Sequence, residues 1–130
     1  MTIEFQVKSW SENTWEGKPA QEITTEKRTY SKVEYNYRGE IEGESEIQYV
    51  MSYREDSTGN FVAIEHIKGS IDGKSGTVTL QHIGTFDKTS VNGTFEVVAA
   101  TGGLAGIKGT GTIVLDGHLE WYPMTFGYSW

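Results

Sequence analysis

The chain contains no cysteine among its 130 residues. That excludes disulfides, a thiolate metal site and a cysteine nucleophile, and it suits a cytoplasmic location. No run of about 18 apolar residues occurs, so no membrane-spanning helix is expected. The opening MTIEFQVKSW has no basic stretch followed by an apolar core. It reads as a strand rather than a signal peptide. Positive charge is in short supply: Lys and Arg total 11 against 18 Asp and Glu, a net charge of −7. Binding to nucleic acid needs a basic surface, so no nucleic-acid partner is expected, and the charge serves solubility. The two prolines, Pro19 and Pro123, break little of the pattern. Alanine and leucine are few.

What is abundant points to strands. Thr, Val, Ile and Tyr are common, and 16 glycines supply turns and close crossings. The length suits one domain over residues 1–130. Residues 2–10 alternate, with Ile3, Phe5 and Val7 on one face. Residues 11–27 are polar and broken by Gly17 and Pro19, which predicts a long loop with room for one helical turn, and Trp15 there either caps an opening or packs on the outer wall. Residues 28–39 form a second strand with Val33, Tyr35 and Tyr37 sharing a face. A turn at Glu40–Gly43 leads to a third, with Ile47, Tyr49, Met51 and Tyr53 on one side. Asp56–Asn60 has turn composition. Phe61–Phe86 reads as two strands joined at Asp72-Gly73, a strong two-residue hairpin signal. Asn92-Gly93 predicts another turn. Thr94–Thr101 follows with Phe95, Val97 and Ala99 inward. Ile107–Leu115 and Leu119–Tyr128 are joined at Asp116-Gly117. Eight consecutive strands with short turns predict an all-β fold, an antiparallel up-and-down barrel or a closed sandwich, because closure removes exposed edges. Eight strands leave room for packed side chains or one small ligand.

The central hairpin fixes a register. A turn at residues 72 and 73 pairs Ile71 with Lys74, Ile67 with Val78, Glu65 with Leu80 and Ala63 with His82. Glu65 and His82 then point inward as diagonal neighbours, about 7–8 Å apart. Val62, Ile64 and His66 point out, and the outward Val and Ile hint at a homo-oligomer. The second Asp-Gly turn sets Tyr122 opposite Gly111, Met124 opposite Gly109 and Phe126 opposite Ile107, with Trp121 outward.

Glu65 is an acid on an otherwise apolar face. Burial works against its charged form, which suits a general acid or base, and His82 can orient or share its proton. Tyr35, Tyr49 and Tyr53 offer hydroxyls and aromatic walls. The competing reading is a structural network that locks the barrel, since structural pairs perturb acids too. The glycine-rich TGGLAGIKGTG is not a phosphate loop, because Lys108 is followed by glycine and no helix pattern follows. Of the three histidines only His82 points inward, so no metal site and no cofactor are expected. No Ser-His-Asp or nucleophile-elbow signature is present.

The run IEHIKGSIDGKSGTVTLQHIGTF followed by TGGLAGIKGTG resembles a family of small uncharacterised bacterial proteins grouped with the allene oxide cyclase barrels. The likeness lies in Glu65, Gly69, Gly73, Lys74, Gly76, Gln81, His82 and Gly84, then in Thr101, Gly102, Leu104, Gly106, Ile107, Gly109 and Gly111. It implies an eight-stranded antiparallel up-and-down β-barrel with a small interior cavity, and oligomers in some relatives. The cyclase's own polar pocket residues have no counterparts placed here, so its activity is not implied. The functional expectation is a barrel that binds a small apolar molecule among Tyr35, Tyr49, Met51, Tyr53, Leu80, Tyr122 and Phe126. Glu65 and His82 would give polar contact or cyclase- or isomerase-type proton transfer. The alternative is a solid, non-catalytic assembly protein.

Overall fold

The computed structural model describes residues 2–130. Among them lie eight strands: β1 (Ile3–Thr14), β2 (Lys27–Gly39), β3 (Ile41–Tyr53), β4 (Gly59–Ile71), β5 (Lys74–Phe86), β6 (Ser90–Gly102), β7 (Lys108–Asp116) and β8 (Tyr122–Ser129). Each pairs antiparallel with the next, and β1 pairs with β8 through Ile3↔Met124 and Phe5↔Tyr122 to close the barrel. Closure satisfies the strand edges that the β-rich chain would otherwise expose. A short 3-10 turn, Ala20–Glu22, is the one helical element among the described residues. No helix there is long and apolar enough to cross a membrane.

The hairpin register is as the Asp-Gly turn predicts: Ile71↔Lys74, Ile67↔Val78, Glu65↔Leu80 and Ala63↔His82. Asp72 and Gly73 both adopt positive φ, as a two-residue turn between right-twisted strands requires.

Several boundaries differ from the sequence pattern. β1 runs on to Thr14, because a bulge between Val7 and Ser9 shifts its phase and brings Trp10, Glu12 and Thr14 to the inner side. The loop before β2 is correspondingly shorter. The β2–β3 turn is centred on Glu40, and Gly43 is already paired with Tyr37. Gly59 and Asn60 belong to β4 rather than to the turn before it. Asn92-Gly93 is no turn either. The chain reverses at Asp87–Ser90, where the Asp87 carboxylate accepts from the backbone N–H groups of Thr89 and Ser90. A second bulge, between Thr79 and Leu80 against β6, turns Ala99 outward and brings Ala100 to the core. The β7–β8 connection is wider than a two-residue turn. Gly111 faces Phe126 and Gly109 faces Tyr128. That register is shifted by an even number of residues, so Tyr122, Met124 and Phe126 keep the face expected of them. Trp121 lies in the connection with the Arg38 guanidinium stacked 3.9 Å from its ring.

The two ends of the barrel differ. At the lower end, bounded by the Glu40, Asp72-Gly73 and Gly103–Ile107 turns, a row of glycines runs across four strands: Gly43↔Gly69, Gly69↔Gly76, Gly76↔Gly102. A Cβ at Gly69 would lie 2.8 Å from the Gly43 Cα and closer still to the Glu42 carbonyl oxygen. Strands this close pinch the barrel. Ile41, Ile71, Leu104 and Ile107 fill what is left. The glycine-rich segment read from sequence therefore closes the floor, with Leu104 as its plug. The upper end is wider and rimmed by aromatic rings.

Candidate functional site

Glu65 lies midway along β4, opposite Ile47 on β3 and Leu80 on β5. It is 0% exposed. A carboxyl group at that depth has lost its water and needs protein partners instead. Three neighbouring strands supply them. Tyr37 on β2 donates its hydroxyl to Oε2 at 2.5 Å. Ser45 on β3 donates to the same oxygen at 2.6 Å. Nε2 of His82 on β5 lies 2.8 Å from Oε1. His82 is 3% exposed, and its ring packs on Phe95 with centroids 5.2 Å apart.

Above this cluster an interior cavity of about 250 Å³ opens toward the upper rim. It is bounded by apolar and aromatic side chains, among them Phe5, Met51, Phe61, Phe86, Ile113 and Leu115. Of the residues singled out from sequence, Tyr35, Tyr49, Met51, Tyr53, Tyr122 and His82 line it. Leu80 and Phe126 do not. Leu80 is sealed in the core, and Phe126 packs on Phe95 and Tyr128. Glu65 does not line it either. It stands behind His82, which forms part of the cavity wall.

Two features of the wall are polar. Tyr35 and Tyr49 place their hydroxyls 2.6 Å apart. Burial pushes both phenols above the ordinary tyrosine range, so they remain protonated donors. Tyr53, at the rim, donates to Glu12 Oε2 at 2.6 Å, and Thr29 donates to the same atom at 2.8 Å. At the mouth stands Asp87. The backbone N–H of Thr89 and the groups of Ser90 hold its carboxyl below the usual range. Among the described residues no Lys or Arg lines the cavity.

Sequence reasoning missed Trp10. Its ring stands over the opening, 6.0 Å from that of Tyr49. The β1 bulge hides this, because strict alternation from Val7 puts residue 10 outside. Of its two expected places Trp15 takes the outer wall, with its Nε1–H donated to the Thr29 carbonyl. On the outer wall Tyr30, Val50, Val62 and Ile83 stand in register across β2 to β5. All are well exposed. Among the described residues no cluster of three or more His, Asp or Glu side chains has metal-site geometry.

Fold and site together define a small closed antiparallel barrel with an apolar cavity in its upper half, His82 in the cavity wall and Glu65 buried behind it. The chain belongs to the DUF3224 family, a family of proteins of unknown function, whose model matches residues 1–128. It is similar to the crystal structure of a DUF3224 protein of unknown function from Shewanella oneidensis MR-1. The two are 23% identical, over 99% of this chain and 96% of that one, with a TM-score of 0.75. At that identity the likeness concerns the fold. No curated protein matches the sequence of the chain.

Proposed function

We propose that the barrel binds a small, largely apolar molecule in its upper cavity, with His82 as the polar contact. The observation that carries this reading is the cavity itself. An apolar cavity of about 250 Å³ among Phe5, Met51, Phe61, Ile113 and Leu115, reached from the upper rim, is left where a solid barrel would place side chains. It lies just below the ~300–1,000 Å³ of sites that enclose drug-sized ligands, so the occupant is smaller, of one or two rings. A solid barrel with a purely structural interior fits this geometry less well. A cytoplasmic setting belongs to the same proposal and is supported by the cysteine-free composition.

Indane, an apolar bicycle, is a suitable probe. At a hundredfold excess over its dissociation constant it should stabilise the fold by about 2.7 kcal/mol, read as a raised melting temperature. Leu115→Trp, which fills the cavity from β7, should remove the effect. A wild-type melting curve that does not move with indane would count against the reading.

A further inference from the structure

We infer that the cavity takes a small neutral ketone or aldehyde and enolises it, with the Tyr35–Tyr49 hydroxyl pair on the carbonyl oxygen and Nδ1 of His82 as the base. The inference rests on the binding reading above and adds a substrate class and a reaction to it.

The first observation is the free nitrogen of His82. Nε2 is engaged by Glu65 Oε1, and Nδ1 has no protein partner among the described residues. Ser31 Oγ is the one fully enclosed side-chain polar atom there without a partner. Nδ1 therefore faces open space, and the space that His82 lines is the cavity. In the tautomer that donates Nε2–H to Glu65, Nδ1 carries the ring's lone pair, and this is the form in which His82 acts as the base. Tyr37 and Ser45 fix the carboxylate from its other side. Glu65 is thus a positioning residue: it acts through His82 and does not reach the cavity.

The second observation is the tyrosine pair. Two hydroxyls 2.6 Å apart share one of their two protons. Neither has another protein partner among the described residues, so one proton is left for an occupant. Burial keeps both phenols neutral, hence donors. The cavity then offers one O–H donor and one base within an otherwise apolar wall. An anionic head group inside the cavity meets no Lys or Arg among the described residues that line it. The Lys27 ammonium is held outside by the Ala20 and Ile23 carbonyls, and Asp87 at the mouth carries the same sign of charge as such a head group. A carbonyl with a neighbouring C–H supplies an acceptor and a removable proton together.

The step balances without a co-reactant. The Nδ1 lone pair takes a proton from the carbon beside the carbonyl. The C–H electron pair becomes the C=C bond, and the carbonyl π pair moves to oxygen. The free hydroxyl proton stabilises that oxygen, an interaction stronger in the enolate than in the ketone. Return of the proton from Nδ1 to the same carbon, or to one conjugated with it, regenerates the imidazole and releases ketone or isomer.

The probe is 1-indanone in D₂O, with loss of its α-proton signal followed by ¹H NMR. The full chain should speed exchange saturably over buffer, and indane should compete. His82→Gln should cut the acceleration by about 100-fold or more. Either single tyrosine-to-phenylalanine variant keeps one donor, whereas Tyr35→Phe with Tyr49→Phe removes both and should cut it about as far. Glu65→Gln should lower the maximal rate and leave half-saturation by 1-indanone unchanged. If His82→Gln does not fold, the double tyrosine variant, which keeps both rings, and competition by indane decide. Exchange no faster than in buffer, with a melting temperature that 1-indanone still raises, overturns the carbonyl chemistry and leaves apolar binding standing. Acceleration that survives His82→Gln overturns the assignment of the base. If neither indane nor 1-indanone moves the melting temperature, both readings fall.

Discussion

Glu65 gives up its water and recovers three hydrogen bonds from three different strands, through Tyr37, Ser45 and His82. Glu65→Gln keeps the shape but puts an amide N–H₂ where one of those donors already points. Because one buried pairing is lost without relief from solvent, it should cost about 1–3 kcal/mol of stability in urea unfolding. It should leave the affinity for indane intact, because Glu65 does not line the cavity. Equal loss of stability and of indane binding would mean that the pair shapes the cavity directly. The sequence places Glu65 and His82 on one face because a single Asp-Gly turn sets their register. It does not show Tyr37 and Ser45 converging on the same oxygen. That contact joins β2 and β3 to β4 and depends on two further registers, neither set by so clear a turn.

At the level of the strands, two bulges and one row of glycines decide where open space survives. The glycines squeeze the lower end, and Leu104 and Ile107 complete the floor. Gly69→Ala should therefore destabilise the barrel by about 1–3 kcal/mol through overpacking against β3 backbone. The urea midpoint should fall with an unchanged slope. Gly127→Ala is the control. A Cβ there meets only the Thr110 carbonyl oxygen, at 3.9 Å, so the midpoint should barely move. Period-two patterning finds all eight strands, since each long run keeps an apolar face. It fails at Trp10 and Ala99, where a bulged residue shifts the phase. It also misplaces the β7–β8 pairing, because Asp116-Gly117 looks like a two-residue turn and sits inside a wider connection. The even shift preserves the inward face, so Tyr122 still reaches the cavity wall, beside Phe5 of β1 rather than opposite Gly111.

For the whole molecule, the buried tyrosines set a limit at high pH. Burial raises Tyr35 and Tyr37 well above the ordinary value, and the charge of Glu65 adds to the effect on Tyr37. The unfolded chain releases these protons near pH 10, whereas the folded chain keeps them. Below pH ~10 both states are protonated and the pair adds no slope. Above it the folded state holds more protons, so stability falls as pH rises, by up to about 1.4 kcal/mol per pH unit for each tyrosine. Tyr128, pushed up to about 12 by burial and the charge of Glu40, adds to the fall only until it ionises in the fold. Urea midpoints between pH 8 and 11 should trace this decline. Tyr35→Phe should make it shallower.

Every functional statement depends on whether the upper cavity takes a guest. Methyl-resolved NMR during an indane titration reports this directly. The methyl signals of Met51, Ile113 and Leu115 should shift together and saturate, while those of Ile41 and Ile71 on the sealed floor stay in place. Signals that never move, or shifts confined to Val50, Val62 and Ile83 on the outer wall, would contradict a binding cavity inside this barrel.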